Sequence, residues 1–512
     1  MLQCKEDNKV IFEYFMSGLD IVLNWNSILA ILFGVAWGTI GGMIPGINAT
    51  IAMALLLPFT WGMEPAVALM MLSGVYCGGE YGGSIPAILI GTPGTNAAAA
   101  TVLDGYELHK QGKTGLALFS SLNASVFGGI VGATALVFLA IPLAKVALAF
   151  GPAEYFALAA LGLTMICSLG EKNVFKGILA GFLGILVSTV GFDPFAGVPR
   201  FTFDILSLAS GFEMVPLMMG LYAITEMFKQ SQAVVGNDGF FLKAQAVTKF
   251  PTWKETKPLV FPASWAATLG VIIGAMPGAG ATAAAFISYS EAKRWSKNPD
   301  SFGKGNPIGV AVPEAANNAV TGGALVPLLA LGIPGSNSTA IMLGALMIHN
   351  VAPGPLLFQK TPEIPYSIFV SLFFANFFLF FIGYLCIKFA IKMTNISKPA
   401  LIAVIIALVF TGSFAYSGEV FSMGVALSFG LFGLGMRYFG LPHTATVLGF
   451  VLGFIMEANL RRALIISEGN YSGVFASSAI SSVLLSLAIV SVVFSFYRGY
   501  KASQKSGKTV AL

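Results

Sequence analysis

The sequence predicts an all-α polytopic membrane protein with two inverted-topology repeats and broken, re-entrant helices at Pro-Gly tips. The composition is 56% hydrophobic and only 10% charged, with a mean hydropathy of +0.82, whereas a soluble domain carries about a quarter charged residues. Apolar stretches long enough to cross a ~30 Å hydrocarbon core recur along the chain. Proline-glycine segments interrupt such stretches twice in each half and in the same order, as in duplicated transporter halves.

The apolar stretches indicate roughly a dozen membrane spans, several of them broken. The clearest unbroken candidates are Leu116–Ala140, Leu206–Met227, Ser367–Ile391 and Ile480–Phe496. The 59 glycines and 25 prolines agree with this, because membrane helices tolerate both residues where neighbouring helices or water satisfy the freed backbone groups.

The reactive residues argue against an enzyme or a metal centre. The four cysteines and three histidines are dispersed, and no CxxC, HExxH or GxSxG motif occurs. We therefore expect no disulfide, no structural metal and no cofactor. The net charge of +5 falls mostly in loops and in the C-terminal tail, where it orients membrane helices, so no nucleic-acid partner is expected.

Polarity divides the chain into five predicted segments. They are a polar N-terminal extension (1–16), a first membrane repeat (17–228), a lysine-rich linker (229–258), a second membrane repeat with the C-terminal spans (259–497) and a basic tail (498–512). Because positively charged segments stay on the cytoplasmic side, the linker and the C-terminus are predicted to be cytoplasmic. The side of the N-terminus stays open.

The two repeats align in two blocks. IPGINATIA (44–52) aligns with MPGAGATAA (276–284) at an offset of 277 − 45 = 232, and GGSIPAILIGTPGTN (82–96) aligns with GALVPLLALGIPGSN (323–337) at an offset of 337 − 96 = 241. The nine additional residues fit a polar insert between the two later blocks. Such a duplication predicts two halves of the same architecture.

Loop charges predict that the two halves lie in opposite orientations. The insert Glu291–Gly305 holds four cations, whereas its counterpart Phe59–Pro65 has no Lys or Arg. The next pair is reversed, because Asp104–Gly115 holds the two cations Lys110 and Lys113 and its counterpart His349–Glu363 has a single Lys. Equivalent loops on opposite sides of the membrane indicate inverted repeats, which place a transport site at the repeat interface near the midplane.

The four helix breaks are predicted to form that site. Backbone breaks at membrane depth are tolerated only where they are buried in protein or line a wet cavity. Helix N-termini with amide and hydroxyl donors suit a carboxylate, and carbonyl oxygens suit a transported Na⁺. The residues expected to bind substrate or ion are Pro45, Gly46, Asn48, Thr50, Gly94, Thr95, Asn96, Pro277, Gly278, Thr282, Asn317, Asn318, Gly335, Ser336, Asn337, Ser338 and Thr339.

Several polar residues have two interpretations. Glu314 is either a helix-start acid near the cytoplasmic surface or an intramembrane ligand beside two asparagines, and Glu80 is slightly more favoured as a ligand because apolar sequence flanks it. Arg461 and Arg462 are expected to anchor a helix at the interface rather than to attract an anion. A single Gly-Pro pair is more often a kink than a site, so the duplicated order is what favours a site.

Four segments resemble a known family. GTIGGMIPGINATIAMALLLPF and YGGSIPAILIGTPGTNAAAATVLDGYELHKQGKTG in the first half, with MPGAGATAAAFISYSEAKRWS and PEAANNAVTGGALVPLLALGIPGSNSTAIMLGALMIHNVAPGPLLF in the second, resemble the TctA family, the large membrane subunit of tripartite tricarboxylate transporters. The resemblance runs from about Ser17 to the last span. The family motifs fall on Pro45–Gly46, Gly91–Asn96, Pro277–Gly278, Pro313–Asn318 and Gly332–Ser338. Ile47–Asn48 departs from the Ala279–Gly280 of the second half, which is expected to alter one wall of the site.

The resemblance implies a permease of the bacterial inner membrane. Its partners would be a small membrane subunit similar to TctB and a periplasmic solute-binding protein similar to TctC. The substrates would be carboxylates such as citrate, carried with Na⁺ or H⁺ and without ATP. Which carboxylate, which cation and whether the protein forms a homodimer stay open.

Two other classes of membrane protein remain as alternatives. A self-sufficient cation/carboxylate symporter would share every intramembrane feature, and neighbouring genes for a four-span protein and a secreted binding protein would distinguish the two. A channel is disfavoured, because the sequence shows no ring of charged residues for a pore constriction.

Overall fold

The structure, a computed structural model, describes residues 2–44, 46–169, 174–234, 251–393, 398–471 and 478–506. Nearly all the regular structure in these ranges is helical, and the one sheet found there is a hairpin of β1 (Gly191–Phe192) and β2 (Pro199–Arg200). The prediction of an all-α polytopic membrane protein is confirmed.

The helices are α1 Leu2–Leu23, α2 Trp25–Met43, α3 Ala49–Leu56, α4 Pro65–Gly82, α5 Ser84–Ile90, α6 Ala99–Lys110, α7 Thr114–Ala147, α8 Pro152–Leu169, α9 Val174–Ser188, α10 Met214–Met218, α11 Thr225–Val234, α12 Trp253–Thr256, α13 Val260–Gly274, α14 Gly280–Trp295, α15 Ile308–Leu331, α16 Asn337–Ile348, α17 Leu357–Lys360, α18 Glu363–Met393, α19 Lys398–Ser417, α20 Val420–Phe439, α21 His443–Ile466 and α22 Ala479–Ser506. A π-helical segment, Met219–Ile224, joins α10 to α11.

Six helical segments of the described chain are long and apolar enough to cross a membrane. They are Trp25–Met43, Thr114–Ala147, Trp253–Gly274, Glu363–Lys388, Pro399–Ser417 and Val420–Phe439, and shorter apolar helices accompany them. The sequence-based expectation of roughly a dozen spans includes broken spans, so it is not directly comparable with these six long helices. The predicted span from Leu206 begins too early: Gly211, at a φ of +80°, lies in a turn, and the helix starts only at Met214.

Three helices continue across predicted segment boundaries. Helix α1 passes residue 16 without a break, α11 extends five residues beyond position 229, and α22 extends beyond position 498. Lys229 therefore lies on a helix, although the sequence placed it in the cytoplasmic linker. Most of that linker, residues 235–250, lies outside the described ranges.

All four Pro-Gly segments interrupt helices. We name each break together with the first turn that follows it: tip 1 (44–50, between α2 and α3), tip 2 (91–97, before α6), tip 3 (276–282, between α13 and α14) and tip 4 (332–339, between α15 and α16). Pro45 is in the part of tip 1 that lies outside the described residues. Gly91 and Gly332 end the preceding helices in the left-handed conformation at φ +67° and +76°, as C-terminal glycines commonly do.

The packing around the tips is repeated at the offsets found in the sequence. A Cβ atom on Gly94 would lie 2.0 Å from the carbonyl oxygen of Gly42, and a Cβ atom on Gly335 would lie 2.6 Å from that of Gly274. The two pairs are equivalent, because 335 − 94 = 241 and 274 − 42 = 232. Only glycine fits this close approach of two backbones, which explains why both tips carry it.

The equivalent helices α4 and α15 cross in opposite directions. The Cys77 thiol lies 3.8 Å from the Thr321 hydroxyl, and the Asn317 side chain donates to the backbone carbonyl of Glu80 at 3.1 Å. Residue numbers rise along α4 as they fall along α15, so the helices are antiparallel. Inverted halves require this relative direction.

The β-hairpin is fastened to α21 by four charged side chains. Arg461 contacts Asp193 at 2.8 Å and Glu457 at 2.9 Å, and Arg200 contacts Glu457 at 2.6 Å. Arg461 thus anchors the hairpin, whereas Arg462 is exposed. Backbone N–H groups, with Arg461, lower the pKa of Asp193 to about 2. The contribution of the ionised Asp193 carboxylate to the stability of the folded protein is therefore complete above about pH 4, and it is lost as the pH falls toward 2.

Candidate functional site

The four tips line one cavity, which we call the tip cavity. Its volume is about 280 Å³, and each tip contributes to the lining: Asn48 and Thr50, Thr95 to Ala97, Gly278 to Thr282, and Ser336 to Ser338. Glu80 of α4 and the first residues of α21 complete the wall. Segments that are far apart in sequence and belong to different halves thus face the same space.

Side-chain caps place helix N-termini at this cavity. The Asn48 side chain caps α3 by accepting the backbone N–H three residues on at 2.9 Å, and the Thr95 hydroxyl accepts the corresponding N–H before α6 at 3.3 Å. Ser336 and Thr339 form a reciprocal capping box at the start of α16. These are the residue types that cap helices best, and an N-terminus carries a partial positive charge.

The difference in sequence between Asn48 and its equivalent Gly280 changes one wall of the tip cavity. Asn48 presents an amide side chain in the first half, whereas the equivalent Gly280 has a φ of +63° and starts α14 without a side-chain cap. Both residues line the tip cavity. The first half therefore offers a side chain where the second half offers backbone.

Amides and hydroxyls dominate the lining. The Asn337 side-chain oxygen is buried and has no hydrogen-bond partner within the described chain. Asn96 is exposed to the cavity. The Tyr76 hydroxyl lies 2.9 Å from that of Ser336, which orients the latter. No Lys or Arg is among the described lining residues of this cavity.

The structure separates the two candidate acids. Glu80 is 8% exposed and lines the tip cavity, and no described residue forms a hydrogen bond or ion pair with its carboxylate. Glu314 is 1% exposed and does not line the cavity; the hydroxyls of Thr101 and Ser125 donate to its carboxylate, the latter at 3.0 Å. Glu314 is the seventh residue of α15, which begins at Ile308, so it does not lie in the first turn of the helix.

The remaining predicted site residues divide by position. Nine line the tip cavity: Asn48, Thr50, Thr95, Asn96, Gly278, Thr282, Ser336, Asn337 and Ser338. Gly46 and Gly94 line a neighbouring cavity. Pro277, Asn317, Asn318, Gly335 and Thr339 line neither cavity. The side-chain amides of Asn317 and Asn318 donate to the backbone carbonyls of Glu80 and Ser125, and Thr339 belongs to the capping box of α16. Pro45 lies outside the described residues.

A larger cavity, which we call the vestibule, opens beside the tip cavity. Its volume is about 820 Å³, and it shares Asn48, Asn96 and Asn337 with the tip cavity. The opposite wall includes Tyr222 in the π-helical segment, four polar residues of α11 (Thr225, Glu226, Lys229 and Gln230) and Arg437 of α20.

This wall is not predicted from the sequence, because its residues flank no Pro-Gly break. The π-helical turn is a local signal that only the structure shows, and such turns are frequent at functional sites. The Thr225 hydroxyl lies 3.2 Å from the Gly220 carbonyl oxygen and 3.1 Å from that of Gly430, so its one hydrogen is shared between the turn and α20.

Comparison with known proteins identifies the family. The model of the tripartite tricarboxylate transporter TctA family matches residues 28–449, a range that contains all four tips. The chain belongs to the TctA family. It is therefore a multi-pass membrane protein. Membership of this family makes it a permease subunit of a tripartite tricarboxylate transporter.

Two relatives of the chain come from Agrobacterium vitis. An uncharacterized 52.8 kDa protein named for the TAR-I ttuC′ 3′ region is 36% identical over 476 residues, which cover 93% of this TctA-family chain and 94% of the relative. An uncharacterized protein named for the TAR-II ttuC′ 3′ region is 35% identical over 224 residues, or 44% of this chain and 92% of the relative. No solved structure matches.

Proposed function

We propose that this chain is the large permease subunit of a binding-protein-dependent secondary transporter that imports a di- or tricarboxylate together with Na⁺ or H⁺. The observation that carries the proposal is the meeting of all four tips at one cavity of about 280 Å³. The carboxylate groups would contact the N-termini of α3, α6 and α16, and the cation would contact backbone carbonyls and Glu80.

The charges of the tip cavity favour coupling to a cation. Each helix N-terminus supplies roughly half a positive charge, so the four termini at the cavity, those of α3, α6, α14 and α16, together supply about two, and an ionised Glu80 carboxylate in the lining would offset one of these charges. A dicarboxylate or tricarboxylate carries two or three negative charges, and no Lys or Arg is among the described residues of the lining. A co-transported cation would supply the missing compensation, since an uncompensated buried charge is strongly unfavourable.

The proposal includes inverted halves, with the vestibule open to the cytoplasm. The antiparallel crossing of α4 and α15 supports the inversion. The vestibule reaches Lys229, next to the linker whose lysines predict a cytoplasmic side. In this conformation the tips would therefore be accessible from the cytoplasm through the vestibule.

The proposed partners are a small membrane subunit and a periplasmic solute-binding protein. The family is that of a three-part transporter, which supports partners of this kind. The alternative is a symporter that works alone. Uptake by the purified chain in proteoliposomes, without and with the two partner proteins, distinguishes these cases.

The test of the site is uptake of labelled citrate, malate and succinate by proteoliposomes under imposed Na⁺ or pH gradients. Asn96→Ala and Asn337→Ala should each reduce transport at least tenfold, because losing a charge-assisted hydrogen bond or an ion ligand costs about 1.5–3 kcal/mol. Asn26→Ala, which removes an exposed amide in the first turn of α2, at the end of the helix remote from tip 1, is the matched control. Wild-type rates and cation dependence in both cavity variants would contradict the proposal.

A further inference from the structure

We propose that Arg437 and Lys229 form a second carboxylate-binding site in the vestibule, with Glu226 as the group that the substrate displaces. This inference rests on the proposed function for the identity of the anion. It assigns the carboxylate a position between the tips and the linker side of the protein.

The three side chains form a compact cluster contributed by two helices. Lys229 Nζ lies 3.1 Å from Glu226 Oε1 within α11, and Arg437 Nη1 of α20 lies 3.4 Å from Glu226 Oε2. Lys229 and Arg437 are about half exposed, whereas Glu226 is 18% exposed. Two cations and one acid leave a net charge of +1 among the described vestibule residues, with His443 counted as neutral.

The cluster faces the same space as the tips. The vestibule is lined both by Glu226, Lys229 and Arg437 and by the tip residues Asn96 and Asn337. A Cβ atom on Gly46 would lie 3.1 Å from Glu226 Oε1, so tip 1 lies next to the cluster. An anion could therefore pass from the tips to the cations without leaving the cavity, whose volume of about 820 Å³ is within the range of small-molecule sites.

The contacts made by Glu226 are those of an exchangeable partner. At 3.4 Å the ion pair with Arg437 is longer than a strong charge-assisted hydrogen bond, and it uses one guanidinium nitrogen. A guanidinium presents five donors in a planar fork that fits a carboxylate in a bidentate manner, and Lys229 adds three more donors. A substrate carboxylate can thus replace the Glu226 carboxylate on the same two cations.

The proposal predicts opposite effects from neighbouring residues. Removing either cation weakens carboxylate binding, because the attracting charge is lost. Removing the negative charge of Glu226 strengthens it, because the competing group is lost. An ion-pair cluster that only joins α11 to α20 would instead show the same loss in all three variants.

The experiment uses the full-length protein in right-side-out and inside-out membrane vesicles, with labelled citrate, malate and succinate as probes. The measured quantity is the half-saturating carboxylate concentration from each face. Arg437→Gln and Lys229→Gln should raise this concentration at least tenfold from the face that bears the linker and less than threefold from the other face. Glu226→Gln should lower it at least threefold from the linker face.

Arg294→Gln is the matched control, because Arg294 forms an exposed ion pair with Glu291 at 3.2 Å and lines neither cavity. Unchanged values in all three cluster variants, or weaker binding in Glu226→Gln, would overturn the second site. Failure of the cation variants to fold leaves Glu226→Gln decisive, since a gain in affinity cannot come from misfolding. Absence of carboxylate transport by the wild-type protein with its partners would instead reject the proposed function.

Discussion

Thr50 in the first half and Ser338 in the second half lie side by side, with their hydroxyl oxygens 3.1 Å apart although 288 residues separate them. Both side chains are buried, and each belongs to a segment that follows a helix break. Their hydrogen bond joins tip 1 to tip 4 across the interface between the halves. The tips therefore form one structural unit rather than separate kinks.

This relationship predicts non-additive effects on stability. Thr50→Val and Ser338→Ala should each lower the free energy of unfolding by about 1 kcal/mol, and the double variant should lose little more than either single one, because the same bond is removed. Thermal unfolding in detergent measures the three changes. Thr134→Val, which removes an exposed hydroxyl on α7, is the control, and fully additive losses would mean that the two hydroxyls are not coupled.

The two buried acids should respond differently to neutralisation. Glu80→Gln removes a charge at the tip cavity, so the half-saturating Na⁺ concentration for uptake should rise at least tenfold, or the dependence on a pH gradient should disappear if H⁺ is the coupling ion. Glu314→Gln should keep the cation dependence and lower stability by about 1–3 kcal/mol, because its hydrogen bonds with Thr101 and Ser125 are disturbed. Uptake and thermal unfolding of both variants test this, and the reverse pattern would exchange their roles.

Asp104 joins α6 to the insert of the second half. The fully buried carboxylate accepts the backbone N–H groups of Gly303, Gly305 and Asn306 at 2.9, 2.9 and 2.7 Å, and the hydroxyl of Tyr289 at 2.8 Å. A carboxylate is an acceptor at both oxygens, so it satisfies four donors that an amide or an apolar side chain could not.

Asp104→Asn should therefore release the insert. The amides of Gly303, Gly305 and Asn306 should exchange hydrogen at least tenfold faster, since a tenfold change corresponds to about 1.4 kcal/mol and each charge-assisted bond contributes that much or more. Hydrogen exchange followed by mass spectrometry over residues 296–307 measures this. Asp300→Asn, an exposed acid of the same insert, should leave exchange unchanged, and equal exchange in the two variants would refute the role of Asp104.

The sequence predicted the tips because their signal is local. Proline and glycine interrupt a helix wherever they occur in this pattern, and Pro334–Gly335 of the second half repeats Pro93–Gly94 of the first. The repeat alone was enough to bring Asn48, Asn96 and Asn337 together as candidates, and the structure places all three at the same cavity.

The vestibule wall could not be predicted, since it depends on packing between distant helices. Glu226 and Arg437 meet only because α11 packs against α20, and neither is near a break. The position of Lys229 on α11 is not predicted either, because the hydrophobic periodicity of the sequence does not show that this helix continues to Val234. Likewise, the burial of Glu314 depends on Thr101 and Ser125, which lie about 190 residues or more earlier in the chain.

The inverted orientation of the halves can be tested by labelling. Glu64 and Lys297 are exposed residues of the two equivalent loops. Single cysteines at these positions, in a variant that lacks the four native cysteines, should react with a membrane-impermeant maleimide from opposite faces of the membrane. The loop at Lys297 should react from the cytoplasmic face. Reaction of both cysteines from the same face would contradict inverted repeats.

Protection of cysteines by substrate tests most directly whether both halves build one site. Asn96 in tip 2 and Thr282 in tip 3 belong to different halves, and both are exposed to the tip cavity. In the Cys-free variant, Asn96→Cys and Thr282→Cys should each react with a methanethiosulfonate reagent several-fold more slowly when the transported carboxylate and the coupling cation are present, whereas Lys297→Cys should be unaffected. Protection of both positions is the result that the four-tip site predicts, and protection of one half alone, or of neither, would contradict it.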